Sequence, residues 1–147
     1  MDGLEIRAAT AADLKALAGL YGQFASQDDP CRPNPSHVAL MLRDDWPDTS
    51  VLLGTIGEVP VASCTLVVVP DAGGAGTPRG RIETVVTDAG WRRCGFGSSL
   101  MREAADRAWR AGCDEISLPS RSNAPATRAL CASVGFEQAD VGFRKRR

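Results

Sequence analysis

The sequence predicts an α/β domain with a central mixed, mostly antiparallel sheet flanked by about four helices. Three observations carry that prediction. Ser50 to Ile56 and Val61 to Val69 are apolar runs of strand length around Gly57-Glu58, the pattern of an antiparallel hairpin covered on both faces. Ile82 to Thr87 is β-branched and apolar apart from Glu83, and from Ser98 onward apolar residues recur at helical spacing, so a buried strand leads into an amphipathic helix. Glu115 to Leu118 then completes a strand, helix, strand unit, whose crossover is expected to be right-handed. At 147 residues and 44% hydrophobic content, one domain over residues 1–147 is expected.

The remaining elements follow in order. Leu4 to Ala8 is a short strand. Thr10 with Asp13 three residues on resembles a capping box, and Leu14, Leu17, Ala18, Tyr21, Phe24 and Ala25 recur at three- and four-residue spacing, giving an amphipathic helix to about Ser26. Asp28-Asp29-Pro30 and Pro33-Asn34-Pro35 punctuate the chain before a second short helix with Val38, Met41 and Leu42 inward, ended by Trp46-Pro47. Asp71 to Gly80 holds four glycines and a proline and reads as a connector loop. After it, Leu100, Met101, Ala104, Ala105, Ala108 and Trp109 form one helical stripe with Gly112 as its C-terminal stop. Asn123 caps a last helix with Pro125 in its first turn and Gly135 at its end, and Phe136 to Arg144 reads as a final hairpin.

The chemistry concentrates between Thr87 and Leu100. Gly95 and Gly97 carry no Cβ to hold a ligand away from the backbone, so the amides of Cys94, Gly95, Phe96, Gly97, Ser98 and Ser99 can face phosphate oxygens at the positive end of a helix. Arg92 and Arg93 add two permanent cations suited to paired hydrogen bonds with phosphate. The expected ligand is a pyrophosphate. Two familiar phosphate loops are excluded: a GxGxxG fingerprint from Gly95 would need glycine where Leu100 stands, and no GxxxxGK[ST] occurs.

Bulk properties remove other classes. A net charge of −1 lacks the basic footprint of a nucleic-acid binder, although Arg144-Lys145-Arg146-Arg147 is locally basic. Five scattered cysteines without a CxxC pair, and one histidine, His37, speak against zinc or a disulfide framework. No metal, no nucleic acid and no membrane partner is expected, since no apolar run reaches the ~18 residues of a span. A reduced, cytoplasmic setting is expected.

Arg92-Arg93-Cys94-Gly95-Phe96-Gly97, following Val85-Val86-Thr87, resembles the [QR]-x-x-G-x-[GA] signature of the GCN5-related N-acetyltransferase (GNAT) family. Ala111-Gly112-Cys113, Ile116-Ser117-Leu118, Asn123, Ala126 and Gly135-Phe136 fall where that family has a helix end, a strand, an asparagine-led helix and a terminal Gly-Phe, so the resemblance spans roughly residues 50 to 147. It implies a sheet in which two adjacent parallel strands splay apart and acetyl-CoA enters the gap. The cofactor-binding set implied is Val85, Val86, Thr87, the turn from Arg92 to Ser99, and Asn123. Backbone at Val85 to Thr87 would bind the pantetheine arm like an added strand, and a main-chain N–H there would polarise the thioester carbonyl.

The implied activity is acetylation of a primary amine. An alkylammonium must lose a proton before it attacks, and Glu83 is the candidate base. It stands where related enzymes often carry an acid; strand alternation leaves open which face it occupies. The family's usual tyrosine acid, four residues before Gly135 in the Leu-Tyr-x-x-x-Gly-Phe pattern, is replaced here by Cys131, which either supplies the proton or simply packs. Asp28 and Asp29 are candidate contacts for a cationic acceptor. A small-molecule amine is the expected acceptor. A protein N-terminus or lysine, an acyl-CoA-binding sensor with little turnover, and assembly as a homodimer are left open.

Overall fold

The computed structural model describes residues 3–23, 33–43, 48–70, 76–119 and 125–138, together with 145 and 147. Five strands lie in one sheet in chain order: β1 (Leu4–Ala8), β2 (Thr49–Ile56), β3 (Val59–Val69), β4 (Arg79–Thr87) and β5 (Ile116–Ser117). The first four pair antiparallel and β4 pairs β5 parallel. Four α-helices accompany them among the described residues: α1 (Leu14–Tyr21), α2 (Pro35–Met41), α3 (Phe96–Arg110) and α4 (Pro125–Ser133).

Dense apolar strands bury both faces of this sheet. Because successive strand side chains point to opposite faces, Leu52 of β2 joins Leu66, Ile82, Leu100 and Ala104 beneath α3. Its neighbours Val51 and Leu53 join Leu17, Leu20, Tyr21 and Val38 beneath α1 and α2. The expected hairpin is present, with Ile56 opposite Val59 across Gly57-Glu58. Gly57 has φ +59, a conformation for which glycine carries no steric penalty.

Local chemistry sets the helix starts. The Thr10 N–H donates to the Asp13 carboxylate at 2.8 Å, so the expected box forms its backbone half; a 3-10 turn over Ala11–Asp13 then precedes α1. Asp13 is also gripped by both terminal nitrogens of Arg7, at 2.7 and 2.8 Å, a pairing that holds its carboxyl well below the usual range. Asn34 caps α2 by accepting from the Ser36 N–H at 2.9 Å, with Pro35 in the first turn. Val38 is buried there, with Met41 and Leu42 packed beside it.

Several expectations are corrected. Strand β4 begins at Arg79 rather than Ile82, and Gly80 belongs to it, not to the connector. A Cβ at Gly80 would stand 3.2 Å from both Ala108 Cβ and Ile116 Cγ1, so this glycine permits close approach of α3 and β5, not flexibility. Helix α3 begins two residues before Ser98. Trp109, assigned to its buried stripe, is 47% exposed; it lies one residue, or 100°, beyond Ala108 on the helix wheel. Strand β5 is shorter than Glu115 to Leu118. Phe24, Ala25, Trp46 and Pro47 lie outside the described residues, as does most of the final hairpin; residues 136–138 carry no strand.

Gly80→Val therefore tests the packing directly. Two added methyl groups and a branched Cβ must displace α3 or β5, lowering stability by about 1–3 kcal/mol in denaturant unfolding. An unchanged midpoint would mean that α3 does not lie this close.

Candidate functional site

The sheet opens along β4. Among the described residues, its parallel pairing with β5 covers only Gly80 with Ile116 and Arg81 with Ser117, after which β4 continues to Thr87 paired with β3 alone. Asp88 N–H donates to the Val61 carbonyl at 2.8 Å. Strand bonding alternates sides, so Val86 also faces β3 while the N–H and C=O of Val85 and Thr87 face the gap.

A β-bulge lies just before these groups. Ser63 pairs with Val86, but two residues on Thr65 pairs with Glu83, so Cys64 opposes both Thr84 and Val85. The extra residue, Thr84, takes φ +58, a costly conformation for a β-branched side chain. Bulges of this kind re-aim the strand beyond them. No feature of the sequence marks Thr84 as the bulge.

The turn after β4 is held by its own side chains. Asp88 accepts from the Gly90 N–H at 2.9 Å, and Arg92 Nε donates to the Thr87 carbonyl at 3.3 Å. That carbonyl is thus already engaged, leaving Val85 the freer backbone unit. Arg93 has φ +64 and Gly95 φ +79, and α3 starts immediately after. Its first helical bond runs from Ser99 N–H to the Gly95 carbonyl at 3.0 Å, which leaves the amides of Phe96, Gly97 and Ser98 without intrahelical acceptors. Ser99 N–H is spent inside the helix and drops out of the expected anion cradle.

Other members of that turn anchor rather than reach outward. Phe96 is buried, its ring 5.8 Å from that of Trp91. A Cβ on Gly97 would meet Thr87 Oγ1 at 3.4 Å and Leu130 at 3.5 Å, ordinary van der Waals contacts. Ser98 Oγ shares a 3.3 Å hydrogen bond with Ser133 Oγ of α4, and Arg102 donates to the Ser133 carbonyl at 3.4 Å. Cys94 is exposed, with its thiol directed to the Arg92 carbonyl at 3.7 Å.

Glu83 alternates with Ile82 and Gly80, which lie beneath α3, and so projects on the face covered by α1 and α2. Its carboxylate is 2.6 Å from Arg81 Nε and its side chain 39% exposed. On the same face Ser63 is completely buried, and its hydroxyl makes no hydrogen bond among the described residues. Tyr21 is buried on this face too, and burial pushes its phenol up to about 12. Gln23 Oε1 accepts from the Ala89 N–H at 3.4 Å, docking the end of α1 at the carboxyl end of β4. Asp28 and Asp29 beyond it, and Asn123, lie outside the described residues. Cys131 is half-buried in α4, and burial raises its thiol, keeping it protonated at neutral pH.

The family model described as the acetyltransferase (GNAT) family matches residues 17–136. Among solved structures, "Putative acetyltransferase from Agrobacterium tumefaciens str. C58" superposes with TM-score 0.83 at 32% identity, over 97% of this chain and 99% of that one. The aminoglycoside acetyltransferase meta-AAC0020 from an uncultured soil metagenomic sample gives 0.79 at 18%, over 99% and 97%. Ribosomal-protein-alanine N-acetyltransferase from Brucella melitensis biovar Abortus 2308 gives 0.79 at 17%, over 98% and 99%. No curated protein sequence matches. The mostly antiparallel five-stranded sheet of the described residues, with one parallel pair, and the match over residues 17–136 agree: this chain belongs to the GNAT acetyltransferases, enzymes that transfer the acetyl group of acetyl-CoA.

Proposed function

We propose that this protein acetylates a primary amine of a small molecule, acting as one domain over residues 1–147 in a reducing, cytoplasmic setting. The observation that carries the reading is the open edge of β4 at Val85 beside the free amides of Phe96, Gly97 and Ser98. Those amides, with Arg93 and the unengaged part of Arg92, suit an anionic pyrophosphate at a helix N-terminus. Val85 offers a strand-like N–H and C=O to an amide-bearing arm. Acetyl-CoA, when bound, supplies the activated acetyl thioester.

The chain's own groups would then orient the acceptor and move its proton. Glu83 sits two residues before Val85 on β4 and is a carboxylate within reach of a water or an amine on the α1 and α2 side. That covered, half-exposed position favours a compact acceptor over a segment of protein. The raised, still protonated thiol of Cys131 is read as packing, and proton return to the leaving group is assigned to solvent. The setting is supported by Cys64, Cys94, Cys113 and Cys131, all free thiols.

Gly97→Asp separates binding from folding. The new Cβ meets only ordinary contacts and an acid is favourable in a first helical turn, so the fold should persist. The charge opposes the pyrophosphate, and acetyl-CoA affinity should fall beyond detection by calorimetry. An unchanged affinity would remove the turn from the site.

Glu83→Gln should lower turnover by roughly 10²- to 10⁴-fold, the range for loss of a general base, with acetyl-CoA affinity little altered. Activity within a few-fold of the parent would hand that role to water. Cys131→Ala, measured in the same thiol-release assay, should keep near-normal turnover with reduced thermal stability; a loss beyond about tenfold in a folded, cofactor-binding variant would make Cys131 the acid.

A further inference from the structure

The fork of the sheet carries a second charged group that amine acetylation does not require. Arg81 is the last residue of β4 to be paired with β5, opposite Ser117, and both project on the face that Glu83 occupies. Its side chain is 51% exposed, and its Nε lies 2.6 Å from the Glu83 carboxylate. An isolated pair of this exposure adds little to stability. Its position is more telling, because it joins a permanent cation to the proposed base at the point where β4 and β5 part.

An arriving ammonium group must take Glu83 from Arg81. A monocation would then leave the guanidinium unpaired beside a positive charge, and a polycation would repel it further. A substrate carrying its own acid avoids this: its ammonium meets Glu83, its anion meets Arg81, and one neutral pair is exchanged for another without a stranded charge. Guanidinium geometry suits a two-point contact to a carboxylate or a phosphonate, and the exposed Ser117 hydroxyl stands alongside.

Resting on the acetyltransferase reading above, we propose that Arg81 is the anion-binding residue of the acceptor site and that the acceptor is a short zwitterionic amine bearing a carboxylate or phosphonate. Glu83 then serves the amine end and Arg81 the acidic end.

The test titrates protein saturated with CoA, so that no acetyl is transferred, with β-alanine, 2-aminoethylphosphonate and n-propylamine by calorimetry. The parent protein should bind one or both acidic amines about ten- to a hundredfold more tightly than n-propylamine, the range for a charge-assisted contact. The stronger of the two identifies the acid. Arg81→Met should abolish that preference and improve n-propylamine binding, because Glu83 is released. Arg81→Lys, which keeps charge without the fork, should retain part of it. A preference missing from the parent protein, unchanged in Arg81→Met, or lost only through equal weakening of all three ligands overturns the proposal. Thiol release from acetyl-CoA with the same amines is read separately: its failure with every amine would remove the acetyl-transfer reading, while the binding preference still decides the role of Arg81.

Discussion

Among the described residues, strand β4 has two paired neighbours at Arg81 and one from Ile82 onward, and the site depends on that loss. Backbone donors and acceptors in a sheet interior are normally paired, because leaving them unmet inside the protein is costly. Where β5 stops at Ser117, the gap-facing groups of β4 become available to a ligand shaped like a strand. The bulge at Thr84 sets which groups those are. Its left-handed conformation costs about 1–3 kcal/mol and is held in place by pairing on either side, Ser63 with Val86 and Thr65 with Glu83.

The rest of the fold brings a helix end to that gap. Apolar residues on both faces of β2, β3 and β4 demand cover on both sides, and α3 supplies one cover while α1 and α2 supply the other. Gly80 lets α3 lie close to the sheet where β4 enters, and the short turn locked by Asp88, Arg92 and the Trp91–Phe96 contact returns the chain so that α3 starts beside the exit of β4. Three amides with no intrahelical partner therefore stand next to an open strand edge. One surface can thus hold both an anion and an extended arm.

Much of this was legible in the residues. The hairpin around Gly57-Glu58, the α3 stripe through Leu100, Met101, Ala104 and Ala108, and the pairing of Thr10 with Asp13 ahead of α1 all follow from local chemistry or periodicity. What failed involved distant contacts. Gly80 looked like part of a loop because the crowding that requires it comes from Ala108 and Ile116, about thirty residues away in sequence. In the site, the turn was recognisable from its glycines and arginines, but the bulge at Thr84 arises from register between β3 and β4. Likewise Arg81 lay outside the strand expected from Ile82, so its place on the same face as Glu83 emerges only once β4 is seen to start at Arg79.

Residue-resolved amide hydrogen exchange, with and without acetyl-CoA, tests the open edge most directly. Exchange at Val85, Phe96, Gly97 and Ser98 should slow on binding, while Val86 and Ser99, whose N–H groups already face β3 or Gly95, should change little. Exchange at Val85 and residues 96–98 that is unaffected by saturating acetyl-CoA, or protection confined to the β1 and β2 end of the sheet, would contradict the account.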